Sequence, residues 1–333
     1  MHMADALASP AVAATMYVAS GVAAAYSIKK LREEDNAKII PTMGVMGAFV
    51  FATQMINFSI PGTGSSGHLC GGMLLSAILG PYAGFLTMIS VLLIQCLLFA
   101  DGGLMVLGCN IWNMAFYGCF LGTMLFWLPM MKNKASKVRI LLASVLGCII
   151  TLQLGAFSVT LETLISGITE LPFSFFVATM QPIHLAIGLV EGLITAAVLI
   201  FIYEARPEML YGLNDADKKK SRFSVKQTLV TLFITTTLIG GGLSLVASGD
   251  PDGLEWSMEQ VAGTSELEAD GDIYESAGSV QETTSLLPDY SFKDSESPLG
   301  TTFSGIAGCL VVILLCVGGS TLVRKITRKP VNE

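Results

Sequence analysis

Apolar runs of about twenty residues recur along the whole chain, and a run of that length is the signature of a helix that crosses a lipid bilayer. They lie near residues 10–28, 39–57, 68–81, 83–100, 104–130, 138–161, 178–203, 227–247 and 303–323. The runs are continuous and do not alternate, so they are not barrel strands; in lipid each must satisfy its own backbone as a helix. The third is short and glycine-rich. Only 14% of the residues are charged and 52% are hydrophobic, which excludes a soluble domain of 333 residues. The reading is an all-α, polytopic helical membrane protein with nine spans.

Orientation follows from the cations. Lys29, Lys30, Arg32 and Lys38 separate spans one and two, and Lys132, Lys134, Lys137 and Arg139 separate five and six. Arg206, Lys218, Lys219, Lys220, Arg222 and Lys226 separate seven and eight, and Arg324, Lys325, Arg328 and Lys329 follow nine. Nine crossings put every cation except Lys293 on one side, which the positive-inside rule makes cytoplasmic. The N-terminus is then extracytoplasmic and the C-terminus cytoplasmic. The first span carries its charges after the apolar run, the reverse of a secretory signal peptide, so Met1 is expected to remain. Residues 206–226 read as a basic cytoplasmic linker.

The net charge of −7 is local in origin. Residues 248–300 hold half of the 26 acids, from Asp250 and Asp252 to Asp294 and Glu296, amid many Ser, Gly and Thr. Such a segment is expected to be a partly disordered outside loop; gathering cations at the surface is the functional alternative. Nothing in the charge pattern suggests nucleic acid.

The residues with most chemistry are Met1 and His2. A free α-amine, the amide nitrogen of His2 and its imidazole Nδ1 close adjacent five- and six-membered chelate rings, three nitrogens in one plane. Amide coordination requires loss of the amide proton, which Ni²⁺, Cu²⁺ and sometimes Co²⁺ drive, and planar nitrogen ligation points to nickel or copper. Taken alone, the pair reads more readily as part of a frayed terminus, the usual fate of such residues. A fourth donor has few sources, since His68 and His184 are the remaining histidines. His68 lies in a glycine-rich link, Asn57 to Gly72, on the same face as the N-terminus in this topology. The stretch Gly62 to Gly67 superficially imitates a phosphate loop, but His68-Leu69 stands where Lys and Ser/Thr belong. His184 and Glu191 share a face of span seven. An ionisable group at that depth is a functional candidate; a direct ligand role for His184 is less favoured than a supporting one, and Glu191 reads more readily as a lock between helices. Asn57 is a further supporting candidate. The seven cysteines sit in or beside apolar segments with no Cys-x-x-Cys pair, so neither disulfides nor a zinc or iron–sulfur site are indicated, and Cys70 reads as an apolar filler.

These residues carry a resemblance. Met1-His2-Met3-Ala4-Asp5, Asn57-Phe58-Ser59-Ile60-Pro61, Ser66-Gly67-His68-Leu69 and His184 to Gly192 resemble the CbiM/NikM family, the cobalt/nickel-specific substrate-binding components of energy-coupling factor transporters, over residues 1 to about 205. Pro251-Asp252-Gly253-Leu254-Glu255-Trp256 and Leu287-Pro288-Asp289-Tyr290 resemble the companion subunit CbiN or NikN, as in fused NikMN chains. The resemblance implies a seven-helix substrate-binding bundle at 1–205, the linker, and a two-helix module at 227–333 with an extracytoplasmic loop at 248–302. It implies Ni²⁺, or alternatively Co²⁺, held by the Met1 amine, the His2 amide and imidazole, and His68. It also implies a prokaryotic cell membrane, a transmembrane scaffold partner and two cytoplasmic ATPase subunits, so this chain is expected to be a non-catalytic subunit without a catalytic cofactor. The loop Gly62 to Ser66 departs from the usual family pattern by one added residue. The segment Pro251 to Glu255 is expected to assist loading without coordinating the final ion.

Small residues at four-residue spacing, Ala19 with Ala23 and Ala48 with Ala52, permit close helix approach. For Ala48 and Ala52, packing inside the chain and a scaffold-binding face are equally good readings. A self-sufficient secondary transporter would need more intramembrane polar groups than the spans offer. A metalloenzyme would need more ligands and an acid–base residue.

Overall fold

The computed structural model describes residues 1–34, 39–132, 135–169, 171–213, 221–265, 267–295 and 297–327, with side chains in the last segment described to 321. Lys38, Lys134, Lys218, Lys219, Lys220, Arg328 and Lys329 fall outside them. The protein is an all-α helical membrane protein. Helix α1 (Pro10–Glu34) opens on a proline, whose fixed φ suits a first turn. Helix α2 (Ile40–Gln54) leads to an antiparallel hairpin, β1 (Phe58–Ile60) and β2 (Ser65–Gly67), with Ser59 opposite Ser66. There follow α3 (Gly72–Leu79), α4 (Pro81–Phe99) and α5 (Leu107–Met131), the last π-wound over Ile111–Trp127. Helix α6 (Lys137–Ser166) is capped by the Ser136 hydroxyl, which accepts from the Arg139 amide, and stops at Gly167 in the left-handed region. Then come α7 (Phe173–Ala205), α8 (Val225–Gly241), α9 (Gly253–Ala262), α10 (Asp272–Thr284) and α11 (Pro298–Thr327).

Seven of these helices, α1, α4, α5, α6, α7, α8 with its extension to Val246, and α11, are long and apolar enough to cross a membrane; α2 is a shorter apolar helix. The third predicted span differs from expectation. Residues 68–71 are not helical, and α3 has only eight residues, a rise of about 12 Å. Gly71, at φ +82°, ends the irregular stretch. The chain still travels from one end of the bundle to the other: Ser66 bonds Pro251 at the first end, and the Ala77 carbonyl accepts from the Tyr211 amide at the second. Non-helical backbone at such depth is tolerated when protein surrounds it. Residues 65–72 are all buried, and the Gln54 side chain donates to the Cys70 carbonyl at 2.8 Å.

The described basic turns gather at the Tyr211 end. Lys30 lies over Tyr26, which meets Tyr82; Lys137 pairs with Glu204; the Arg222 amide donates to the Ala205 carbonyl. Ala48 and Ala52 are fully buried against the two C-terminal helices. The Cys309 thiol reaches the Ala48 carbonyl at 3.5 Å, and Gly240 lies beside Ala52. Of the two readings of that small-residue face, packing within the chain is the one seen.

The acidic segment is more ordered than its composition suggests. Asp252 and Glu255 form a reciprocal capping box at the start of α9, and Leu254 and Met258 are buried behind it. The Gln281 amide on α10 donates to the Gly102 and Cys96 carbonyls at 2.7 and 3.0 Å, and the Tyr274 hydroxyl to the Ala8 carbonyl at 3.1 Å.

Candidate metal site

The N-terminus runs inward. Met1 is 4% exposed, and Met3 and Leu7 are fully buried. Asn110 on α5 holds Met3 from both sides: its Oδ1 accepts from the Met3 amide at 2.7 Å and its Nδ2 donates to the Met3 carbonyl at 3.2 Å. The Gly103 amide donates to the same carbonyl at 2.9 Å. A Cβ at Gly103 would lie 1.9 Å from Asp5 Oδ1 and 2.6 Å from the Asp5 nitrogen, so only glycine lets the two backbones pass.

The Met1 amine lies 3.1 Å from His68 Nε2 and contacts the Asp252 carboxylate. His68 Nδ1 sits 3.0 Å from the Leu69 carbonyl. A donor at Nδ1 leaves the Nε2 lone pair facing the amine, the orientation a metal ligand needs. Burial drives the amine toward its neutral form, but the Asp252 carboxylate outweighs it and raises the amine above its ordinary value of 8.0. Burial and the adjacent ammonium lower His68, whose Nε2 lies 3.8 Å from the Asp252 carboxylate. Burial alone would raise Asp252; the ammonium and His68 hold it well below the usual carboxylate range. A cavity of about 10 Å³, room for one water-sized occupant, is lined by Met1, His68, Cys70, His184, Asp252 and Gly253 among others. Among the described residues, no three His, Cys, Asp or Glu side chains are grouped to hold a metal ion. A site here draws on the amine and main chain as well.

The His2 ring stacks on His68, with centroids 5.2 Å apart. Its Nδ1, the nitrogen required for the chelate, faces Asp101 Oδ1 at 3.0 Å, and its Nε2 faces the Gln95 Oε1 at 3.3 Å. The structure thus brings the amine and His68 together and turns His2 Nδ1 toward Asp101, just after α4; a half-turn about the Cβ–Cγ bond would put Nδ1 where Cδ2 now lies and Nε2 where Cε1 now lies, between Asp101 and Gln95. Burial pushes Asp101 up, but His2 and the Tyr290 hydroxyl bonded to it hold it well down.

His184 borders the cavity, its Nδ1 2.8 Å from the Met180 carbonyl and its buried Nε2 without a hydrogen-bond partner among the described residues. Glu191 lies deeper: one oxygen accepts from the Gly71 amide at 2.9 Å, bracing the stretch that carries His68, and the other has no hydrogen-bond partner among the described residues. Asn57 contributes its carbonyl to the Ser248 amide at 2.8 Å, at the foot of the hairpin. Sequence reasoning missed Gln95, Asp101, Asn110, Asp252 and Tyr290 as parts of this site. An acid directly after an apolar run, as in Phe99-Ala100-Asp101, was the available signal for one of them.

Comparison with known proteins agrees with this architecture. Residues 2–209 match the family described as CbiM, cobalt uptake substrate-specific transmembrane region, and residues 226–325 match the PDGLE domain. A protein of Archaeoglobus fulgidus, provisionally named a fused nickel transport protein NikMN, is 33% identical over 95% of this chain and 96% of its own length. The fused nickel transport protein NikMN of Rhodobacter capsulatus is 26% identical over 99% of both chains. A crystal structure of a truncated transition metal transporter superposes with TM-score 0.54 at 28% identity, covering 61% of this chain and 99% of that one.

Proposed function

The chain belongs to the CbiM family and is a membrane component of nickel or cobalt transport, and from that premise we propose that it captures Ni²⁺ at the outer face in a planar nitrogen site made by the Met1 amine, the His2 amide and imidazole, and His68. The observation that carries the reading is the buried approach of the Met1 amine to His68 Nε2 at 3.1 Å with the His2 ring stacked beside them. His184, Glu191 and Asn57 support the site without binding the ion. The substrate-binding unit is residues 1–205, joined by 206–226 to the module at 227–333. The basic end is cytoplasmic, and ATP hydrolysis on separate subunits, through a membrane scaffold, supplies the energy for release. The two relatives named for nickel favour Ni²⁺ over Co²⁺.

Capture is ligand exchange without turnover. The ion sheds water, and the amine and amide shed protons. Because Asp252 raises the amine, protons compete with the metal beyond pH 8, and nickel affinity rises with pH. Equilibrium nickel titration of the wild type across this range is expected to show that rise, and His68→Ala to lose stoichiometric binding. Flat pH dependence together with intact binding in His68→Ala would remove the site from these residues.

A further inference from the structure

Residues 250–256 of the appended module close one wall of the site. The Ser66 amide donates to the Pro251 carbonyl at 2.8 Å, adding a bond beside β2, and the Ser66 hydroxyl donates to the Asp250 carbonyl at 2.8 Å. The Trp256 indole donates to the Thr63 carbonyl at 3.0 Å. Gly253 lies flat on α7: a Cβ there would be 2.9 Å from Ile187 Cδ1 and 3.0 Å from His184 Cε1. Asp252 does two things at once. Its Oδ1 caps α9, accepting from the Leu254 and Glu255 amides at 2.7 and 3.0 Å, while its Oδ2 faces the Met1 amine.

We propose that this segment is a lid that retains the metal, with Asp252 as the fixed counter-charge of the loaded site, so the module governs how long the ion stays as well as how it arrives. The proposal rests on the metal-site reading above. A dication bound through one amide anion leaves a net charge of +1 in a buried space, and an uncompensated charge there is costly. Asp252 is the carboxylate in contact with the amine donor, and the helix cap holds it there without a flexible side chain having to be ordered anew. Gly253 supplies the close fit: its bare Cα is what allows the segment to lie against His184 and Ile187.

The test is nickel release from the full-length chain, purified in detergent, loaded with Ni²⁺ and chased with excess chelator. Asp252→Asn removes the charge and keeps the cap, since asparagine caps as well as aspartate. Gly253→Ala keeps the charge and props the lid open. The two act by different means, so if one variant fails to fold the other still decides. Each is expected to release nickel about tenfold faster than wild type or more, as loss of a buried partner charge or of close packing acts mainly on dissociation. Release within about twofold of wild type in the folded variants overturns the lid. His68→Ala separates the two readings: lost tight binding there with unaltered release in the lid variants overturns the lid alone, and retained tight binding overturns both.

Discussion

Asp101 accepts from the Tyr290 hydroxyl and meets His2 Nδ1 at 3.0 Å, so it stands where a loaded His2 would need an acceptor. Once Nδ1 turns to the metal, the Nε2 proton needs a partner on the α4 side, and a carboxylate there both orients the ring and raises its basicity. Asp101→Ala is therefore expected to weaken nickel binding about 10- to 100-fold, read by calorimetric titration; unchanged affinity would mean that Asp101 plays no part in holding the ring. At this scale the residues proposed to chelate the metal can be named from the sequence alone. An α-amine followed by histidine is a chelator by local covalent geometry, whatever the fold. Asp252 was not legible, because its meaning depends on a contact across 251 positions. Its motif was visible and its destination was not.

At the scale of elements, the apolar runs announced nearly every helix, because burial in lipid leaves a helix as the one local solution. Three features escaped. The third span opens with four non-helical residues, 68–71, and Gly71, in the left-handed region, delays its helix to Gly72. The π-winding of α5 leaves no trace in hydropathy. Composition marked 248–300 as partly disordered, yet a capping box and a few buried apolar side chains fold it onto the site. The crossing of Gly103 over Asp5 shows how strictly one element positions another. Gly103→Ala is expected to push the N-terminal stretch out and abolish tight nickel binding while far-ultraviolet circular dichroism stays as in wild type, because the atoms nearest that methyl belong to Asp5, outside the long helices. Retained affinity would mean that the N-terminus reaches the site by another path.

For the molecule as a whole, the two modules named by the comparisons share one end of the bundle: the N-terminal dipeptide enters from α1, His68 from the hairpin link, Asp252 and Tyr290 from the PDGLE domain. Fusion keeps the two helices that cover Ala48 and Ala52, and the lid they carry, at a fixed stoichiometry with the site. The basic turns lie at the opposite end, where energy-supplying partners are proposed to act. The central question is whether the metal is held by the first two residues together with His68. The direct measurement is nickel binding by the native chain against a chain with one alanine inserted between Met1 and His2, which leaves the helices intact, replaces the two-residue chelate and shifts the imidazole away from His68. The expected result is loss of stoichiometric tight binding and of the absorption band of planar nickel. Binding of equal tightness with an unaltered band would contradict it and move the metal away from the N-terminus.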